Sequence, residues 1–152
     1  MPDPIVERLI TFLVRIGLEV RAGAVTGPSF LPGIAIEAGV LVVDAERLLY
    51  PGDLLHEAGH LALLDPHVRA TIDASTGPDG GFELGAIAWS YAAALHLGID
   101  PAIVFHEAGY RGASASILDN FRAGRYIGVP MLEWLGLTTA ADYPAMRAWL
   151  RG

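Results

Sequence analysis

Asp53-Leu54-Leu55-His56-Glu57-Ala58-Gly59-His60-Leu61-Ala62-Leu63-Leu64-Asp65-Pro66 is the stretch on which the reading of this chain turns. It follows Pro51-Gly52, so Asp53 is a good N-cap. Leu54, Leu55, Ala58, Leu61, Ala62, Leu63 and Leu64 supply the apolar positions of a helix, and Asp65-Pro66 ends it. Residues four apart on a helix lie one turn apart on the same face, so His56 and His60 can direct both imidazoles at one metal ion. Glu57, next to the first histidine, falls beside that ion, where it can take a proton from metal-activated water. Zinc held this way lowers the pKa of water and polarises a carbonyl, and the glutamate serves first as base and then as proton donor. Gly59 costs roughly 1 kcal/mol relative to Ala inside a helix. Its presence there points to a backbone or a substrate coming close.

Two histidines leave a third protein ligand to be found. The chain has no cysteine, so the donor must be His, Asp or Glu. Glu83 is the choice, because it opens the next long helix and an antiparallel packing would bring its carboxylate to the ion. His67 is the rival, seven residues after His60, though Asp65-Pro66 intervenes. Asp65, Asp73 and Asp79 remain as further candidates.

Working outward, apolar residues at Ile5, Val6, Leu9, Ile10, Leu13 and Ile16 have helical spacing, so a first amphipathic helix is expected from Ile5 to Ile16, ending at Gly17. Gly23 to Gly33 reads as loop. Ile34–Glu37 and Val40–Asp44 read as the strands of a hairpin turning at Ala38-Gly39. Val68 to Ile72 is open between a short helix and extended chain. Ser75 to Gly81 reads as a second loop, Phe82 to Leu97 as a long helix stopped by Gly98, and Asp100-Pro101 as the start of a short helix through Phe105. A final helix is expected from Ala140 or Tyr143 to Leu150. His96, on the apolar face of the long helix, reads as a core histidine, and Trp89, Trp134 and Trp149 as core or interface anchors. His56-Glu57-Ala58-Gly59 recurs as His106-Glu107-Ala108-Gly109, but the flanks differ, so the recurrence reads as coincidence rather than duplication.

The 152 residues suit one α+β domain spanning 1–152. The composition is 53% hydrophobic and 18% charged, with a mean hydropathy of +0.42. The longest apolar runs still fall short of the ~20 residues a bilayer span needs, so no membrane insertion is expected. The apolar surplus points to a filled core or to a homo-oligomer. A net charge of −7 without a Lys/Arg cluster argues against nucleic acid as a partner. The first residues, Met1-Pro2-Asp3-Pro4, lack the pattern of a secretory signal, which makes a cytoplasmic protein the expectation.

The HEAGH helix, followed by a glutamate opening an Ala-rich and aromatic helix (Glu83-Leu84-Gly85-Ala86-Ile87-Ala88-Trp89-Ser90-Tyr91-Ala92), resembles the gluzincin group of zincin-type zinc metallopeptidases. It looks most like the compact bacterial ImmA/IrrE-type branch. The resemblance covers roughly residues 34 to 97. It implies a compact zincin-like domain with an active-site helix, a second packed helix and a small antiparallel sheet. It also implies one zinc ion on His56, His60 and Glu83, with Glu57 as general base and a peptide or protein as substrate. The Asn-Glu-x-x-x-Asp second motif of thermolysin-like members is absent, and no DNA-binding domain accompanies the site. Peptidases of this type use a His, Tyr or Arg to hold the developing oxyanion, a role that His106 or Tyr110 could fill here. A regulatory or binding protein that keeps a zinc site with little turnover is the alternative reading.

Overall fold

Asp3 accepts a hydrogen bond from the Ile5 amide at 2.8 Å and Pro4 follows it, so the first helix starts one residue before its apolar stripe. The computed structural model describes residues 3–25, 31–73 and 80–152. Helix α1 runs Pro4–Ile16, buries Leu9, Phe12 and Leu13, and ends where Gly17 turns left-handed at φ 110°.

Three short strands follow: β1 (Val20–Ala22), β2 (Ile34–Glu37) and β3 (Val40–Val43). β2 and β3 form the expected hairpin, with Ala38 and Gly39 both at positive φ, the turn geometry that matches strand twist. The sheet is mixed rather than purely antiparallel, because β1 pairs parallel to β3 and gives the order β1-β3-β2. Val20-Arg21-Ala22 is three residues long with Arg21 exposed, too short for alternation to announce a strand.

Helix α2 spans Asp53–Leu63, and all its residues are buried. Asp53 is not its N-cap: Gly52 holds that place without a side-chain hydrogen bond, and Asp53 is the first helical residue. Only glycine fits at 52, since a Cβ there would lie 2.1 Å from the Ile103 carbonyl oxygen. Asp65-Pro66 does end α2, and Asp65 then caps a four-residue helix α3 (Pro66–Arg69) by accepting from the His67 amide. That helix begins two residues before the segment expected to be helical or extended. The loop expected over Ser75 to Gly81 lies outside the described residues, apart from Gly80 and Gly81, which belong to the next helix.

Helix α4 (Gly80–Leu97) packs antiparallel on α2. Ser90 Oγ donates to the Leu55 carbonyl at 3.3 Å, Gly59 faces Ala86, and Gly85 faces Leu63. A Cβ on Gly59 would lie 3.1 Å from the Ala86 carbonyl oxygen, so the glycine sets the spacing of the two helices. Beyond α4 come a 3-10 turn (Pro101–Ile103), a second (Tyr110–Gly112), α5 (Ser114–Arg122) and α6 (Val129–Trp134). The described residues thus form a compact α+β fold with six α-helices and a three-stranded mixed sheet.

The final helix expected from Ala140 or Tyr143 to Leu150 does not form. The Arg147 and Ala148 amides bond Leu137 instead, and just past the expected helix the Arg151 amide bonds Ala62 at 2.9 Å. The tail instead wraps the two central helices, with the Tyr143 hydroxyl donating to the Ala88 carbonyl and the Trp89 indole to the Trp149 carbonyl. Trp89 is fully buried, but Trp134 is 74% exposed and so is no core anchor. His96 is likewise exposed rather than in the core, its ring packed at the rim against Phe12 and Trp149. Among the described residues no helix is long and apolar enough to cross a membrane.

Candidate metal centre

Asp53, His56, Glu57 and His60 fall at helical spacing on one face of α2, and all four are buried. The donor atoms of His56, Glu57 and His60 lie within 4.8 Å of one another. Glu83 enters from the first turn of α4, placing Oε2 2.7 Å from His60 Nε2 and Oε1 3.5 Å from His56 Nε2. The Glu83 side chain is 39% exposed, against 4% for His60 and 11% for His56, so solvent meets the cluster on the Glu83 side.

Burial and mutual contacts set the protonation of these groups. Burial pushes the His56 imidazole down to about 4; the Glu83 charge opposes that fall, and His60 and His106 deepen it. A neutral His56 keeps a lone pair for a metal at neutral pH. Glu83 is held below the ordinary carboxylate range by its hydrogen bond from His60, against the effect of burial, with the charges of His56 and His60 adding to the lowering. Two imidazole nitrogens and a carboxylate are the donor set of a catalytic zinc site with an open position, so the residues present fit that ion. His60 Nδ1 is buried and lacks a hydrogen-bond partner.

The other expected ligands stand apart from this cluster. His67 is exposed on α3, Asp65 caps that helix, and Asp73 accepts from the Ala38 amide at the hairpin turn. Asp79 lies outside the described residues.

His106 and Tyr110, expected to face an oxyanion, are both at the centre's flank. The Tyr110 hydroxyl lies 2.8 Å from His56 Nδ1, on the side of the ring away from the Nε2 that meets Glu83. Its pKa is raised well above the usual tyrosine value by burial, and then by the charges of Glu83, Asp53 and Glu57. His106 Nε2 is 2.7 Å from Asp53 Oδ1, and its ring stacks on Tyr50 at 4.0 Å. Burial raises the Asp53 pKa, opposed by the hydrogen bond and charge of His106. Asp53 is a residue of the site that its reading as a cap concealed. The signal was present, because Asp53 precedes His56 by three and so shares its face.

Compared with known proteins, the chain matches no family model, no curated protein and no solved structure, so the geometry of His56, Glu57, His60 and Glu83 carries the functional reading by itself.

Proposed function

We propose that this chain is a zinc-dependent hydrolase of zincin-like, gluzincin-type architecture that cleaves an amide bond in a peptide or protein. The observation that carries the reading is the meeting of the Glu83 carboxylate with the Nε2 atoms of His56 and His60 beside the buried carboxylate of Glu57. His56, His60 and Glu83 would hold the ion, which when bound supplies Lewis-acid polarisation of a carbonyl and activation of water.

The protein's own residues then have distinct tasks. Glu57, 4% exposed within the ring of donors, removes a proton from the attacking water and returns it to the leaving nitrogen. General acid–base help of this kind is worth roughly 10²–10⁴-fold. Burial of His56 keeps its imidazole unprotonated, and in the metal-free site the hydrogen bond from His60 keeps Glu83 ionised, ready for an ion to take that proton's place. The half-exposed Glu83 marks the side from which a substrate carbonyl can approach.

Metal analysis of protein purified without a His tag, together with a peptide-library digest, tests the reading. About one equivalent of zinc and measurable cleavage are expected, and Glu57→Gln should keep the metal while losing cleavage. Absence of zinc overturns the metal centre. Full cleavage by Glu57→Gln overturns the assignment of the base.

A further inference from the structure

The recurrence of His-Glu-Ala-Gly at 106–109 opens a loop that returns to the first occurrence at 56–59. His106 is tied to Asp53, one turn before His56, and the hydroxyl of Tyr110 reaches the His56 ring itself. Three further restraints fix the loop: Tyr50 stacks on His106 with the rings 12° from parallel, and the Ser114 hydroxyl donates to the carbonyls of His106 at 2.6 Å and Gly109 at 3.1 Å. Tyr110 sits at φ 55°, a left-handed conformation that a non-glycine residue keeps only where its surroundings impose it. Its ring meets His56 edge-on at 5.1 Å and packs on Phe105 at 5.4 Å.

A metal-binding histidine is oriented by what its other ring nitrogen bonds to, and that bond also selects the tautomer. We propose that Tyr110 is the positioning residue of the metal centre: its hydroxyl oxygen accepts the Nδ1 proton of His56 and so leaves the Nε2 lone pair free for the ion that His56 would share with Glu83. The Asp53–His106 pair holds the loop that carries it. This assignment rests on the metal-centre reading and replaces the oxyanion role expected for Tyr110 from sequence. It also gives the buried Asp53–His106 pair a task in the chemistry rather than only in the fold. His60 has no such partner at Nδ1, and its ring is held from the other side, by the contact of Nε2 with Glu83 of α4.

The test combines zinc affinity, measured by competition with a chromophoric chelator, with ¹⁵N NMR of the histidine rings in metal-free protein. Metal-free wild type should show His56 as the Nδ1–H tautomer. Tyr110→Phe should lose that preference and bind zinc about 10–100-fold more weakly at unchanged stoichiometry. Asp53→Asn should weaken zinc by a smaller factor, acting through the loop. An Nε2–H tautomer for His56 in wild type overturns the proposal without any variant, and so does an unchanged zinc affinity in Tyr110→Phe. Failure of wild type to bind zinc at all instead overturns the metal centre, so the two failures are distinguishable.

Discussion

Glu83 Oε2 lies 2.7 Å from His60 Nε2, which joins the first turn of α4 to the last turn of α2 across the antiparallel helix pair. Glu83→Gln keeps the shape of the side chain and removes its charge. Zinc affinity should fall by more than the roughly 10–100-fold typical of a lost outer partner, because a ligand itself is lost. Isothermal titration with zinc checks this, and an unchanged affinity would place the third ligand elsewhere.

Gly59 sets the distance across which that carboxylate must reach. Gly59→Ala gains roughly 1 kcal/mol of helix propensity but presses a methyl against Ala86, whose carbonyl oxygen would lie 3.1 Å away. Stability should therefore change by no more than about 1 kcal/mol, while zinc affinity falls several-fold as the helices part. Gly59→Val adds bulk that the interface has no room for and should destabilise by about 2 kcal/mol or more. Thermal melts and zinc titrations of the two variants separate the effects.

Arg69 closes the C-terminal end of α2, just past His60. Its guanidinium donates to the carbonyls of Leu61, Ala62 and Leu64, groups a helix end leaves without partners, and also to that of Arg151. Arg69→Met should keep much of the packing of the stem and lose these bonds, at a cost of about 2 kcal/mol. Urea unfolding should show a lower midpoint with an unchanged slope.

Acid should destabilise the metal-free protein over a defined window. His56 in the folded state titrates at about 4 against an ordinary 6.5, so between those values the unfolded chain binds the extra proton. Lowering the pH from 6.5 toward 4 then removes up to about 3 kcal/mol of stability. Glu83, held below its ordinary 4.5, adds a loss of the same sign as the pH falls below that value. Urea midpoints measured from pH 7.5 to 4.5 should be flat above 6.5 and fall below it, with His56→Gln flattening the upper part of the slope. A flat profile in wild type overturns the assignment of a buried neutral His56.

Sequence periodicity revealed what local pattern can encode. The first helix, read over Ile5 to Ile16, the hairpin around Ala38-Gly39 and the His56–His60 face of α2 all repeat at short range, and Gly59 points to a backbone or a substrate close by, which in the structure is the backbone of α4 at Ala86. The meeting of Glu83 with the two histidines is legible because it opens a helix that can pack antiparallel on α2. The misses share a cause, which is that their bonds are long-range. Asp53 reads as a cap, but His106, 53 residues further along the chain, holds its carboxylate. Residues 140–150 read as helical, yet the amides of Arg147 and Ala148 reach back to Leu137, and the next residue, Arg151, bonds Ala62. His96 follows the apolar face of α4 past the point where the core ends, and β1 exists only because β3 lies beside it.

Every residue of α2 is buried, Asp53 through Leu63, so the helix that carries the donors has no solvent face. An ordinary surface helix lets selection vary the exposed positions while the packing ones stay fixed. Here a change of side-chain size at any position also disturbs the core. Variation that leaves the core intact must therefore run through the surrounding pieces: the opening turn of α4, where Glu83 and Leu84 meet water, and the 106–110 loop behind His56.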